Sequence, residues 1–175
     1  VDENRQLIEK HRIRSLGLVQ DEMKVAAQYQ AQGTPMGYRI DAAGRIASEL
    51  AVGAEAVLKL AGKLPPPEVV AGKNGSAKKH HHPDPSLARS KINRDGLKAG
   101  TGAPDFRLPQ IDGGEIALSD FRGQRLLLVF SDPNCGPCDE LAPHLEELHR
   151  ERSDLRVLTI SRRDADATRT KAAKL

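Results

Sequence analysis

Apolar and polar residues follow several different periods along this chain, and each change of period marks an element. Leu126-Leu127-Leu128-Val129-Phe130 is an unbroken apolar run that predicts a buried strand. Downstream, Leu141, Leu145 and Leu148 recur at i, i+4 and i+7, the stripe of a helix packed on a core. Leu155 to Ile160 then alternates as a further strand, and Thr168 to Leu175 starts another helical pattern. Upstream, residues 2–11 are good helix formers with acidic residues at the front, where the helix dipole favours them. A short apolar run, Leu16 to Val19, precedes an acidic start, Asp21-Glu22, to a second helix. That helix reaches about Tyr29, with Met23, Ala26 and Ala27 as its buried face.

Gln32-Gly33-Thr34-Pro35 breaks the pattern. Met36 to Ile40 reads as a strand, Asp41-Ala42-Ala43-Gly44 as a turn, and Arg45 to Leu50 as the returning strand of a hairpin. Gly53 to Ala61 is a short helix that Gly62 would cap. From Lys63 to Lys98 periodicity is lost: Pro65-Pro66-Pro67, Gly72-Lys73-Asn74-Gly75-Ser76 and Lys78-Lys79-His80-His81-His82-Pro83 predict a flexible linker. Order resumes at Gly102 to Pro109, turns at Asp112-Gly113-Gly114, and continues through Glu115 to Gly123 into the buried strand.

With 175 residues, the chain is long enough for one ordinary domain or two small ones. Aromatics are 3% of it and tryptophan is absent, which makes a lean core. The net charge of +3 is spread along the chain apart from a basic cluster at residues 73–82, so nucleic-acid binding is not expected. No run approaches the ~20 apolar residues of a membrane-spanning helix. The chain begins at Val1 and stops in helical-looking sequence, so both ends read as cut from something longer.

Only two cysteines are present, Cys135 and Cys138, in Ser131-Asp132-Pro133-Asn134-Cys135-Gly136-Pro137-Cys138. That is too few for a disulfide-stapled framework. A Cys-x-x-Cys that follows an apolar strand and opens a helix is the layout of a dithiol redox pair. Unpaired N–H groups and the positive dipole end at the helix start lower a thiol pKa from ~8.5 towards 7 or below. Cys135 is therefore the expected nucleophile and Cys138, one turn on, the resolving thiol. A zinc site built from the same cysteines would need a second ligand pair, for which His80–His82, His144 and His149 are the candidates. The Gly-Pro insert opening a helix favours redox chemistry, with no metal and no bound cofactor, and His80-His81-His82 reads as solvated linker.

Ala103-Pro104-Asp105-Phe106, Leu118-Ser119-Asp120-Phe121-Arg122-Gly123 and Cys135-Gly136-Pro137-Cys138 together resemble the first half of a redoxin domain. This is the TlpA-like, thiol–disulfide branch of the thioredoxin superfamily, and the resemblance covers residues 99–175. It implies an α/β, thioredoxin-like fold, a central mixed sheet flanked by helices. Such a domain continues with a helix, a strand, a cis Thr-Pro, a hairpin and a closing helix, none of which follows Leu175. Residues 1–62 resemble that missing second half, with Thr34-Pro35 at the place of the Thr-Pro. Aligning residues 1–11 with 165–175 matches Asp2 with Asp166, Arg5 with Arg169 and Lys10 with Lys174.

The order implies two half-domains, 1–62 and 99–175, joined by the linker 63–98. They belong either to a window cut from a tandem array or to one circularly permuted domain. A linker of ~36 residues spans roughly 30–36 Å on average, enough to cross a small domain. Neither half has enough sheet to cover its apolar face, so the two are expected to pair, within one chain or by swapping between copies.

The resemblance also assigns substrate binding to Thr34 and Pro35, whose backbone would pair with a peptide beside the disulfide, and to Gly136 and Pro137, which keep the turn compact. It implies protein disulfides as substrates and an external thiol as electron donor. Asn134 stands where thioredoxin has a tryptophan, and Val129 where it has a buried acid, leaving Asp132 as the nearest carboxylate. Pro143 would kink the helix. The peroxidatic Pro-x-x-x-Thr-x-x-Cys pattern is absent, which argues against a cysteine peroxidase. The rival reading is a non-catalytic binding or assembly fragment of a tandem redoxin array. No compartment follows from the sequence, although proteins of this branch often act outside the cytoplasm.

Overall fold

A run of five apolar residues needs an apolar layer on each side, and the structure provides both. The computed structural model describes residues 2–62 and 96–162. In chain order the elements are α1 (Asp2–His11), β1 (Leu16–Gln20), α2 (Lys24–Gln28), β2 (Met36–Ile40), β3 (Ala51–Val52), α3 (Ala54–Leu60), β4 (Arg107–Pro109), β5 (Glu115–Ala117), a 3-10 turn at Leu118–Phe121, β6 (Arg125–Ser131), α4 (Gly136–Glu151) and β7 (Leu155–Arg162). Most of the proposed linker, with His80–His82, lies outside the described residues, as do the helical pattern from Thr168 and the stretch 165–175 compared with residues 1–11.

Five strands form one mixed sheet in the order β1-β7-β6-β2-β3. β7 runs parallel to β6 and to β1, while β2 runs antiparallel to β6. The inner strands come from residues 125–162 and the outer ones from residues 16–52. On β6, Leu126, Leu128 and Phe130 face a core shared with Leu18, Val25, Tyr29, Tyr38 and Phe106. Leu127 and Val129 face the other way, against Leu141, Leu145 and Leu148 of α4 and Val57 and Leu58 of α3. Each such side chain contributes ~1.5–3 kcal/mol on burial, which fixes both the strand and its register. The result is the mixed sheet flanked by helices of a thioredoxin-like fold.

Two expectations need correction. The second helix starts at Lys24, not Asp21, because Glu22 and Met23 sit in the left-handed region at φ 51 and 59. The Gln20 side chain then accepts the Ala26 N–H at 3.0 Å, and the buried face is Val25, Ala26 and Tyr29, with Ala27 exposed. The hairpin after β2 turns where the sequence places it, through Gly44 at φ 75, but its return arm is not a continuous strand. Ile46 bridges Ile40, and regular pairing returns only at β3. The cause is local: the Ser48 hydroxyl, not a backbone carbonyl, accepts the Arg39 N–H, and the Ile46 N–H turns outward to Thr101 O. Pro143 lies inside a helix that runs unbroken from Gly136 to Glu151.

Gly96 to Lys98, the end of the proposed linker, pack onto this body. The Leu97 N–H donates to the Tyr38 hydroxyl at 2.9 Å, and that hydroxyl donates to Tyr29 O at 2.8 Å. Burial, more than anything else, lifts the Tyr38 phenol above its ordinary pKa. Among the described residues, no helix is long and apolar enough to cross a membrane.

Candidate active site

β6 ends at Ser131, and the chain turns on Asp132 before α4 begins. One Asp132 carboxylate oxygen accepts the Asn134 N–H at 2.9 Å, and the Asp132 carbonyl accepts the Cys135 N–H at 3.2 Å. Cys135 is the N-cap of α4, with Gly136 and Pro137 in the first turn. A proline there costs nothing, since the N–H groups of a first turn lack helical partners anyway. The Cys135 carbonyl accepts the Cys138 and Asp139 N–H groups, both at 3.0 Å, so both cysteines are held by the start of one helix.

Cys135 and Cys138 form a disulfide with Cα atoms 5.2 Å apart. The two sulfurs differ in access. Cys138 is 3% exposed, whereas Cys135 is only half-buried and faces an open cleft of about 450 Å³ between α1 and the start of α4. Gly136 and Pro137 are exposed beside it.

The second segment meets the disulfide from the side. The Thr34–Pro35 peptide is cis, and Thr34 O lies 3.5 Å from Cys135 Sγ. In the disulfide this is a plain contact; a Cys135 thiol would donate to that carbonyl. Pro35 is buried, and its carbonyl accepts the Gly53 N–H at 2.9 Å, which ties the loop to the start of α3. Cys135, Cys138, Thr34, Pro35, Gly136 and Pro137 are thus brought to one place from positions a hundred residues apart in the chain.

Several charged groups ring the disulfide. Asp132, the carboxylate expected nearest the site, is paired with Arg162 at 2.6 Å. Asp139 on α4 binds Lys10 at 2.6 Å and His11 at 2.7 Å, both from α1, and these hydrogen bonds, Lys10 first, hold its carboxyl below the usual carboxylate range. Asn134 Nδ2 donates to Glu3 at 2.9 Å. Val129 is fully buried, so β6 brings no acid under the helix.

Sequence reasoning missed Glu146. It is buried on α4, and its carboxylate accepts the Arg14 and Ser15 N–H groups at 2.7 and 2.9 Å. The signal was present: Cys138, Leu141, Ala142, Leu145 and Glu146 follow i, i+3, i+4, i+7, i+8, which puts Glu146 on the apolar stripe. Lys10 and His11 carried no such signal, because their partner is set only when α1 docks on α4.

Comparison with known proteins places this arrangement. Residues 99–175 match the AhpC/TSA family. The thioredoxin-like protein YneN of Bacillus subtilis is 37% identical over 59 residues, which are 34% of this chain and 35% of that protein. The thiol-disulfide oxidoreductase ResA of Geobacillus kaustophilus is 40% identical over 53 residues, 30% of each chain. ResA of Bacillus thuringiensis subsp. konkukian is 33% identical over 72 residues, 41% of each. The match therefore spans between 30% and 41% of the length of these relatives. No solved structure matches the chain. With its strand, cysteine pair and helix, the segment 99–175 is thus similar to redoxin-type, thiol–disulfide proteins of the thioredoxin superfamily.

Proposed function

We propose that this chain is a thiol–disulfide oxidoreductase that exchanges electrons with protein disulfides through Cys135 and Cys138. The observation that carries the reading is the unequal exposure of the two sulfurs: Cys138 is sealed at 3% exposure, while Cys135 faces a cleft. A reduced Cys135, as thiolate, attacks one sulfur of a substrate disulfide, forming a mixed disulfide and releasing the other sulfur as a thiol. Cys138 then attacks Cys135 Sγ, the substrate's second sulfur leaves and is protonated, and an external dithiol returns the enzyme to its reduced form. The names of the relatives, two of them thiol-disulfide oxidoreductases, support this chemistry.

Thr34 and Pro35 would position the substrate. The Thr34 carbonyl beside Cys135 Sγ suits pairing with an extended peptide, and Gly136 and Pro137 leave open the side from which that peptide approaches. The same reading takes the two segments as one permuted domain, whether the chain is whole or a window of a tandem protein. Strands β1 and β2, which flank β7 and β6, support it.

The test is dithiothreitol-driven reduction of insulin by the full chain. Turnover is expected in the parent and is lost in Cys135→Ser, while Cys138→Ser accumulates a mixed disulfide. A parent chain without turnover overturns the reading in favour of a binding module.

A further inference from the structure

Directly beneath Cys138 lies a cavity of about 40 Å³ with no ionisable side chain in its wall other than Cys138 itself. Most of the wall is apolar, but not all of it. Asn4, Ser131, Thr159 and Ser161 line it together with Cys138 and Val129. Ser131 and Ser161 are register partners on β6 and β7, so they stand side by side under α4. Ser161 is 4% exposed, and its hydroxyl has no hydrogen-bond partner among the described residues. An unpartnered buried hydroxyl costs ~1–3 kcal/mol, which makes this position a poor one unless something binds there. One water needs ~10–15 Å³ and two to four polar partners, and this cavity supplies both.

We propose that an ordered water bound on the Ser161 hydroxyl, in the cavity under Cys138, carries the proton of the resolving thiol. The proposal rests on the oxidoreductase reading and adds a positioning residue to it. Cys138 must lose a proton as its sulfur attacks Cys135: the S–H bond breaks, the Cys135–Cys138 bond forms, the bond to the substrate sulfur breaks, and that sulfur takes up a proton as it leaves. A thiol sealed from solvent has no direct outlet for its proton, and Val129 places no acid below it. A water held by Ser161 relays that proton to the leaving substrate sulfur, where it ends, and donates a hydrogen bond to the Cys138 thiolate as it forms.

The charged groups on the elements that surround the site are committed elsewhere. On the turn before α4, Asp132 pairs with Arg162 of β7. On α4, Asp139 pairs with Lys10 and His11 of α1, and Glu146 accepts the Arg14 and Ser15 N–H groups. Glu3 of α1 accepts from Asn134.

The experiment uses the full chain with Cys135→Ser, which leaves Cys138 as the single thiol, and follows its thiolate by ultraviolet absorbance against pH. Adding Ser161→Val, which fills the site with an apolar group, is expected to raise the midpoint by about half a pH unit, a threefold fall in thiolate at a fixed pH below it. Ser161→Thr, which keeps the hydroxyl, restores the midpoint. A midpoint unmoved by Ser161→Val, in a protein whose circular dichroism is unchanged, overturns the proposal. Should the valine variant not fold, Ser161→Ala serves with the same two outcomes. A crystal structure of the parent, at a resolution that shows waters, is expected to place one within hydrogen-bond distance of Ser161 Oγ, and a dry cavity overturns the idea. If the parent lacks insulin turnover but the midpoint still shifts, the function falls and the water site stands.

Discussion

The segment 96–162 supplies the centre of the sheet, both cysteines and the helix they open, and its strand β6 is buried on both faces. The segment 2–62 supplies the outer strands, the helix α1 and the cis Thr34–Pro35 loop. The disulfide sits in the first, whereas the second brings a carbonyl beside Cys135 and a helix beside the cleft. Between them run two strand ladders, β1 on β7 and β2 on β6, beside extensive apolar contacts and a set of specific side-chain bonds. Glu146 to the Arg14 and Ser15 N–H groups, Tyr38 to Leu97, Tyr29 to Pro104, and Asp139 to Lys10 and His11 are among the side-chain bonds that pin the seam. Apolar burial makes the segments associate, and the two ladders together with these side-chain bonds decide in which orientation.

Glu146 offers the hardest test of that division. Glu146→Ala leaves two N–H groups of residues 14 and 15 without their acceptor, one of them buried, and opens a gap against α4. The expected loss is about 3 kcal/mol, from ~1–3 kcal/mol for each unmade bond. Urea unfolding at fixed pH measures it, and Glu146→Gln, which keeps one acceptor oxygen, should lose less than half as much. A change under 1 kcal/mol in the alanine variant would mean that the strand ladders and the apolar contacts orient the segments without it.

The tyrosines come next in size. Tyr38→Phe removes the acceptor for Leu97 N–H and the donor to Tyr29 O, and about 1–2 kcal/mol should go with them. Burial raises both phenol pKa values above the ordinary 10, so the folded chain keeps protons that the unfolded chain sheds. The sign follows: stability is full below about pH 10 and falls as pH rises through it. Tyr29→Phe removes one ionising group, and its stability curve should fall less steeply above that pH than the parent's. Parallel curves would show that Tyr29 ionises alike in both states.

The unequal roles of the segments also explain what was legible in the sequence. Leu126 to Phe130, the stripe on α4 and the alternation of β7 each answer to a strong local pattern, and each stands where that pattern put it. Cys135 and Cys138 were legible for the same reason. Residues 16–50 were harder, because their backbone bonds go to distant partners. The Ser48 hydroxyl takes a ladder position, the Gln20 side chain caps a helix, and Ile46 turns towards Thr101. Thr34 and Pro35 were placed by family order, since no local property of Gln32-Gly33-Thr34-Pro35 points to a cysteine a hundred residues on. Ser161 was invisible as a site residue, because a serine in an alternating strand reads as surface until α4 covers it.

The smallest effect belongs to the ion cluster at the rim of the cleft, and it is the one that pH and salt resolve best. Lys10 is 60% exposed and Asp139 34%, so their pair is screened and is worth ~0.2–1 kcal/mol. Asp139 keeps its charge to lower pH in the folded chain than in the unfolded one, because Lys10 and then His11 hydrogen-bond the carboxylate. Its contribution is therefore complete above the unfolded carboxylate pKa of ~3.9 and is lost as pH falls below it. Lys10→Met should lower stability slightly at pH 6 in dilute buffer, and the difference from the parent should close towards pH 3 or in 1 M salt, where the Debye length is ~3 Å. A difference that persists at both low pH and high salt would instead belong to the packing of the Lys10 stem on α4. In that case the Lys10 charge would play no part in docking α1, which would rest on packing and on bonds such as Asn4 to Arg162 O and Asn134 to Glu3.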